Sequence, residues 1–428
     1  MTGPAIQLIA AGRLALVVGL VSSWLASASQ VAPNPVSAWN ALALEAIRFA
    51  NTPPPMASRQ LAIMHTAMFD AVNGLAPKYE NYRQHTNSPT PASASPEAAA
   101  AAAANRTLRY LYPQFTTTMD AALQAHLASL PDGPEKTAGV AWGRQVAQNL
   151  LLQRDFDGSN YGADYRASPQ PGHWQPTPPQ FASPWLPQWP RLKPFVLERA
   201  DQFRAEPPPV LDGPEWAEQM NQVKSLGGRN STNRTPEQTE IAFFWADGVG
   251  SETPPGHWNG VAQQFAKTKD LPLLESARLF ALLNLALADA AISSWDSKYA
   301  YDWWRPITAI RGANSDGNPA TEPNENWTPL ILTPPFPEHT SGHSTFSAAA
   351  AAVLQSLNGS DDFKFTLYSN GLFGAARTYD RFSEAAAEAG MSRIFGGIHF
   401  MAANREGQRT GKKVGEYVIQ HALRPLDK

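Results

Sequence analysis

Apolar residues recur at three- and four-residue spacings along most of the chain, which indicates helices packed through one face. No run with strand periodicity interrupts the segments before residue 154. The segments with helical spacing are 36–73 with a break at Pro53-Pro54-Pro55, 96–110, 117–130, 139–154, 214–225, 235–245 and 271–295. The pattern predicts an all-α fold, a helical bundle.

An alanine-rich run from 347 to 354 predicts one further helix, which we expect to end at Asn358-Gly359. Prolines precede the run, so Thr340 or Ser341 is the natural N-cap. A helix start carries free N–H groups and the positive end of the helix dipole, and it therefore suits an anion. Gly342 permits close approach of that anion, Ser341 offers a hydroxyl, and His343 offers a proton that moves near neutral pH.

Two loops separate these helices. Residues 168–194 contain nine prolines and three tryptophans, so we expect an ordered, irregular segment that covers the helices. It marks the boundary between an N-terminal helical region, 29–210, and a catalytic helical bundle, 211–428. We also interpret 254–259 as a loop, where His257 either approaches the site or is a surface or packing histidine.

Composition excludes several classes of protein. The absence of cysteine excludes disulfides, cysteine-bound zinc, iron–sulfur centres and thiol catalysis, and a net charge of −3 does not favour nucleic acid. An apolar run at 14–21 follows Arg13 and precedes Ala26-Ser27-Ala28, which predicts a signal peptide over 1–28 and a secreted or periplasmic protein. The alternative is a membrane anchor, but serines shorten the run. We expect no other spanning stretch, and hence no stable membrane span in the mature chain.

Three motifs follow one another in the second half of the chain. Lys298 stands six intervening residues before Arg305-Pro306, Ser341-Gly342-His343 comes next, and Ser392-Arg393 stands five intervening residues before His399. Together they resemble the signature shared by vanadium-dependent haloperoxidases and type 2 phosphatidic acid phosphatases.

The chain departs from that family pattern at two positions. Thr340 occupies the place of the proline expected before Ser-Gly-His. Ala403 occupies the place of an aspartate often found four residues after the last histidine. A partner for His399 must therefore come from elsewhere in the chain or be absent.

The resemblance implies that the motifs hold a tetrahedral oxyanion, vanadate or phosphate. Lys298 would supply a point charge, and Arg305 and Arg393 would supply planar forks that contact two oxygens each. Ser341 and the Gly342 N–H would add neutral donors. Three cations in one pocket repel one another, so such a site makes sense only with an anion in it.

The family also implies roles for the remaining residues. His399 would bind the central atom, as the axial ligand to vanadium or as the nucleophile on phosphorus, while His343 would be the general acid–base and Lys298 would assist. Trp295 and Phe336 match positions that line the halide side in fungal-type chloroperoxidases. Each of them is equally an ordinary core residue.

Residues 271–295 are apolar on nearly every side, which predicts a helix buried in the middle of the bundle. This helix would deliver Trp295 and Lys298 to the pocket. A buried carboxylate needs a partner, and we expect one of the site arginines to be the partner of Asp289.

The resemblance therefore implies a vanadate-dependent haloperoxidase that oxidises halide with hydrogen peroxide to hypohalous acid. Its partners would be small molecules only: peroxide, halide and an organic acceptor. The alternative is a secreted acid phosphatase that hydrolyses phosphate monoesters through a phospho-histidine at His399. A third reading is a binding protein that retains the fold without catalysis.

Overall fold

A computed structural model of the protein describes residues 34–82 and 90–426. The signal peptide predicted at residues 1–28 lies outside the described residues. Thirteen α-helices account for most of the described chain. They are α1 (Pro35–Ala50), α2 (Pro54–Asn73), α3 (Pro96–Leu111), α4 (Thr116–Ala128), α5 (Pro134–Arg154), α6 (Pro214–Leu226), α7 (Pro236–Phe244), α8 (Thr253–Thr268), α9 (Leu273–Tyr301), α10 (Pro306–Arg311), α11 (Gly342–Asn358), α12 (Phe382–Phe395) and α13 (Met401–His421).

The only sheet in the described residues is a hairpin of two antiparallel strands, β1 (Asp362–Tyr368) and β2 (Ala376–Arg381). The all-α prediction is thus confirmed. The hairpin was not predicted from the sequence. Its signal was present in the sequence. Phe363, Phe365 and Leu367 alternate with more exposed residues and pack into the core, which is the period expected of a half-buried strand.

Helix α9 forms the centre of the molecule. Nearly all of its residues between Ser276 and Lys298 are buried, and α2, α11, α13 and α8 pack around it. By length and composition alone α9 could cross a membrane, so the expectation that no such stretch exists beyond the N-terminus is wrong. However, 94% of its most apolar stretch is buried inside the protein, as the prediction of a central bundle helix requires.

The carboxylate of Asp289 on α9 has a different partner from the one predicted. Its oxygens accept hydrogen bonds from the backbone N–H groups of Phe195, Val196 and Leu197 at 2.7–2.8 Å. The prediction of a site arginine is therefore wrong. Three backbone donors satisfy the buried carboxylate and attach the residues that directly follow the Pro/Trp-rich segment to the core helix.

That segment crosses the helices as an irregular, mostly ordered covering. Trp174 and Trp189 are buried, while Trp185 is 37% exposed. Buried apolar residues from Val36 to Leu423 form one continuous cluster, so both halves of the chain contribute to the main core. The boundary placed near residue 211 stays a prediction.

The interpretation of residues 254–259 as a loop is wrong. They lie in the first turns of α8, and Pro254 and Pro255 occupy its opening positions. Proline lacks only a donor that the first turn of a helix leaves unused, so it can begin a helix as readily as it ends one. His257 is consequently a buried helix residue.

Helices α11 and α13 make a close backbone contact through glycines spaced four residues apart. A Cβ atom on Gly407 would lie 2.8 Å from the Ser341 carbonyl oxygen, and one on Gly415 would lie 2.6 Å from that of Ala349. A Cβ on Gly411 would overlap the Thr345 carbonyl oxygen still more. This contact fixes the start of α11, where Ser341 and Gly342 lie.

We expect Gly411→Ala to lower the free energy of unfolding by about 1–3 kcal/mol, because the added methyl forces two backbones apart. Gly260→Ala is the matched control, since a Cβ at this α8 position meets nothing within 4 Å. It should raise the stability by about 0.4–1 kcal/mol. Urea unfolding of both variants measures the difference, and equal stabilities would show that the α11–α13 contact can open without cost.

Candidate active site

The predicted site residues lie at helix ends that meet on one side of the bundle. Lys298 is in the last turn of α9, Arg305 is the N-cap of α10, and Ser341 is the N-cap of α11. Arg393 is in the last turn of α12, and His399 lies in the short connection to α13. All five side chains are almost completely buried.

Lys298 organises the turn before α11. Its Nζ donates hydrogen bonds to the carbonyl oxygens of Pro337 and Glu338, both at 3.0 Å, and to that of Thr340. Burial lowers the pKa of Lys298 well below its ordinary value, and repulsion from Arg305 lowers it further. Backbone carbonyl groups therefore hold the amino group of Lys298 in place, while burial disfavours its charge.

Arg305 joins two motif segments. Its Nε donates to the Phe336 carbonyl oxygen at 2.8 Å, and its Nη1 donates to the Ile398 carbonyl oxygen at 2.9 Å and lies 3.2 Å from His399 Nε2. Its Nη2 is buried and has no hydrogen-bond partner among the described residues. Burial lowers the pKa of Arg305 to about 9, although Glu338 attracts its charge.

Arg393 contributes the third cation. Its Nε donates to Ser392 Oγ at 2.9 Å, and its Nη2 donates to the Trp245 carbonyl oxygen. Burial lowers its pKa to about 10, against the attraction of Asp247. None of the three site cations makes an ion pair with a carboxylate in the described chain.

Glu338 is the carboxylate partner of His399. Its Oε1 accepts hydrogen bonds from His399 Nδ1 and from the Phe400 N–H, both at 2.8 Å. Glu338 thus fills the role left open by Ala403. Sequence reasoning missed it, although an acidic residue among the apolar and small residues just before Ser341 was a signal that could have drawn attention to it.

The contact with Glu338 fixes the tautomer of His399. Because Nδ1 faces a carboxylate, it carries the proton, and Nε2 keeps its lone pair. Burial, followed by repulsion from Arg305 and Lys298, places the pKa of His399 well below its ordinary value. Burial also raises the pKa of Glu338 to about 7. His399 is therefore a neutral imidazole whose Nε2 keeps its lone pair and lies 3.2 Å from Arg305 Nη1.

The start of α11 supplies neutral donors. Ser341 Oγ caps the helix by accepting from the Ser344 N–H at 3.3 Å, which uses a lone pair and leaves its O–H able to donate. Gly342 is the first residue of the helix, where N–H groups are free of intrahelical partners. The predicted cap at Ser341 is confirmed.

His343 contacts a carboxylate that the sequence reasoning did not identify. Its Nε2 lies 3.4 Å from Asp247 Oδ2, in the connection that follows α7. The other oxygen of Asp247 lies 3.3 Å from His257 Nδ1. Burial and the nearby Arg393 lower the pKa of His343 to about 4, so this imidazole is neutral at pH 7.

Aromatic rings form the apolar side of the site. Trp295 and Phe336 lie with ring centroids 4.9 Å apart, and the Lys298 ammonium lies 5.0 Å from the centroid of Phe336. Trp185, from the Pro/Trp-rich segment, extends this wall with its centroid 6.3 Å from Phe336. Its backbone N–H donates to the Pro335 carbonyl oxygen at 2.9 Å, which attaches the segment to the motif.

The donor set fits a tetrahedral oxyanion. Three buried cations face two buried carboxylates, and Arg305 Nη2 remains without a partner. The described residues hold no cluster of three or more histidine, cysteine, aspartate or glutamate side chains suited to a bare metal ion. An anion with several oxygens is the ligand that this arrangement would stabilise.

Comparisons with known proteins agree with this geometry. Residues 278–428 match a family model described as the VCPO second helical-bundle domain. A curated relative, vanadium chloroperoxidase of Curvularia inaequalis, is 29% identical; the match covers 74% of this chain and 64% of the relative, so the chain spans less than two thirds of its length.

Solved structures extend the likeness to nearly the whole chain. The crystal structure of the first bacterial vanadium-dependent iodoperoxidase superposes with a TM-score of 0.80 at 28% identity, covering 94% of this chain and 99% of that one. A holo-type bacterial vanadium-dependent chloroperoxidase has a TM-score of 0.70 at 18% identity, covering 86% and 92%, and supports the fold alone. The protein fits the superfamily of vanadium-dependent haloperoxidases and type 2 phosphatidic acid phosphatases, as its motifs predicted.

Two replacements of Glu338 distinguish its role in orienting His399 from the effect of its negative charge. Glu338→Ala removes the acceptor of His399 Nδ1, and we expect it to weaken orthovanadate binding about 10–100-fold. Glu338→Gln keeps an acceptor oxygen and removes a negative charge. Its affinity for orthovanadate should therefore be close to that of the parent protein and no weaker than that of Glu338→Ala. Isothermal titration calorimetry gives the three affinities. Equal affinities in the parent and Glu338→Ala would contradict the orienting role.

Proposed function

We propose that the chain is a vanadate-dependent haloperoxidase. It would oxidise a halide with hydrogen peroxide to hypohalous acid, which then halogenates a small organic acceptor. The observation that carries the proposal is the neutral His399 imidazole, held through Nδ1 by Glu338 with Nε2 beside three buried cations. The chloroperoxidase and iodoperoxidase names of the relatives support it.

The residues that would hold vanadate divide into two groups. Lys298, Arg305, Arg393, Ser341 and the Gly342 N–H would contact its oxygens, and His399 Nε2 would bind vanadium. When bound, vanadate supplies a Lewis-acidic centre that activates hydrogen peroxide. Burial of the cations strengthens their hold on the anion, because few water molecules compete for the same donors.

His343 would act as the acid–base of the reaction. It is neutral at pH 7, so it could accept a proton from hydrogen peroxide and later donate it to the peroxide oxygen that leaves as water. Lys298 would polarise the peroxide oxygen that the halide attacks. The balanced reaction consumes hydrogen peroxide, one halide ion and one proton, and yields one hypohalous acid and one water.

Trp295, Phe336 and Trp185 would form the side from which the halide approaches. Aromatic surface removes water from a halide and thereby increases its reactivity as a nucleophile. The sequence-based assignment of Trp295 and Phe336 to this side remains a prediction. Trp185 extends the same wall and is the only one of the three with substantial exposure.

We further propose that the protein is exported. The support is the pattern of the N-terminal residues, an apolar run at 14–21 followed by Ala26-Ser27-Ala28. Recovery of the protein from the medium or periplasm, with an N-terminus near residue 29, is the expected result. A protein retained in the cytoplasm with residues 1–28 intact would contradict export.

The activity can be tested with purified protein, orthovanadate and hydrogen peroxide. We expect halogenation of a phenolic dye with iodide and bromide, iodide being the more easily oxidised. His399→Ala should lose both vanadate binding and halogenation by more than about 100-fold, because it removes the ligand to the central atom. His421→Ala, at an exposed position on α13, is the matched control and should retain both.

A phosphate monoester assayed under the same conditions distinguishes the alternative. Halogenation at background with vanadate present, together with turnover of the ester that is lost in His399→Ala, would favour the phosphatase. Halogenation without ester turnover would favour the haloperoxidase.

A further inference from the structure

His257 is a buried titratable residue that the reaction described above does not use. It lies in the first turns of α8 with its side chain 1% exposed. The rings of Phe244 and Trp245 flank it at centroid distances of 6.1 and 5.2 Å. Such surroundings disfavour a charge unless each polar atom faces a complementary group.

Both ring nitrogens of His257 face acceptors. Nδ1 lies 3.3 Å from Asp247 Oδ1, and Nε2 lies 3.3 Å from the Tyr368 carbonyl oxygen, which can only accept. A neutral imidazole carries one proton and would leave one nitrogen facing an acceptor with its lone pair. Only the doubly protonated ring matches both neighbours.

Asp247 therefore stands between two histidines. Its Oδ1 faces His257 and its Oδ2 faces His343 Nε2 at 3.4 Å. A single carboxylate balances a single imidazolium. With His257 holding the positive charge and Arg393 close by, a second proton on His343 would meet net repulsion.

We propose that His257 is a positioning residue, a protonated partner that holds Asp247 in place and thereby keeps His343 neutral with Nδ1 free to accept a proton. Nε2 of His343 lies 3.4 Å from the Asp247 carboxylate, so this nitrogen would carry the ring proton and Nδ1 would be left for proton exchange. The part of the proposal that concerns hydrogen peroxide rests on the proposed function.

The charged groups around His257, Asp247 and His343 agree with a protonated His257. Burial opposes the charge on His257, but Asp247, and more weakly Glu252, raise its pKa to about 9. Glu252 is itself paired with Arg48. Despite burial, the two histidines hold the pKa of Asp247 below its usual range.

The stability of the folded protein should depend on this proton. The folded pKa of His257 lies above its unfolded value, so its contribution is fully present below about pH 6.5 and is lost as the pH rises through about 9. The free energy of unfolding should fall across this window in the parent protein. The fall should be smaller in His257→Phe and His257→Gln.

The decisive experiment titrates the histidines by NMR in protein with ¹³C-labelled histidine rings. His257 and His343 signals are assigned by their loss in the variants His257→Gln and His343→Gln. In the parent we expect His257 to stay protonated through pH 7 while His343 is neutral. A neutral His257 ring at pH 7 would overturn the proposal without need of any variant.

Two replacements then test the link to His343. His257→Phe keeps an aromatic ring, and His257→Gln keeps a donor to Asp247, but neither carries a charge. Both should raise the pKa of His343 by about one unit or more, because Asp247 then attracts a proton to His343 alone. His421→Gln is the control and should leave it unchanged. A His343 pKa unmoved in both variants would overturn the proposal, and if His257→Phe does not fold, His257→Gln decides.

The pH profile of halogenation supplies the functional measurement. The acidic limb of kcat/KM should move to higher pH by the same interval as the pKa of His343 in each variant. A uniform loss of rate with an unmoved limb would indicate a merely structural role. If the parent shows no halogenation at any pH, the proposed function fails, and the NMR titration still decides whether His257 controls His343.

Discussion

The site depends on three buried cations that backbone carbonyl groups hold in place without cancelling their charge. Lys298 contacts three carbonyl oxygens, Arg305 contacts two, and Arg393 contacts that of Trp245. A carbonyl dipole fixes the direction of a cation but leaves its net charge intact. Burial and mutual repulsion disfavour these charges, as the lowered pKa values of all three groups indicate, and a bound anion would offset that cost.

The rest of the fold holds these carbonyl groups and cations in fixed positions relative to one another. The glycine contact between α11 and α13 fixes the chain at Ser341, and α9 carries Lys298 rigidly from the centre of the bundle. The carboxylate of Asp289 attaches the covering segment to the same helix through three backbone donors. The candidate site is thereby attached to the main core. The groups that would contact an anion therefore need little rearrangement to bind it.

The sequence located the candidate oxyanion-binding residues, whose role stays a prediction, but not the carboxylates that contact the two histidines among them. The ordered motifs located Lys298, Arg305 and His399, because fixed spacings within helices and turns carry that information. Glu338 and Asp247 escaped notice because their partners lie far away in the chain, at His399 and His343. The prolines at 254–255 suggest a loop from sequence alone, because the same pattern is found in turns and at the start of a helix.

Trp185 shows how this architecture separates two kinds of selectivity. It belongs to the irregular segment from the N-terminal half and contacts the ring of Phe336. Its backbone N–H donates to the Pro335 carbonyl oxygen, and its own carbonyl oxygen accepts from Trp295 Nε1 at 3.3 Å and from the Tyr299 hydroxyl at 2.6 Å. The candidate anion-binding groups all lie more than a hundred residues further along the chain. If the proposed function holds, substitutions of the Trp185 side chain would alter the approach of an organic acceptor without replacing any group that would contact the anion. Acceptor preference could then change between related proteins while the halide chemistry stays the same.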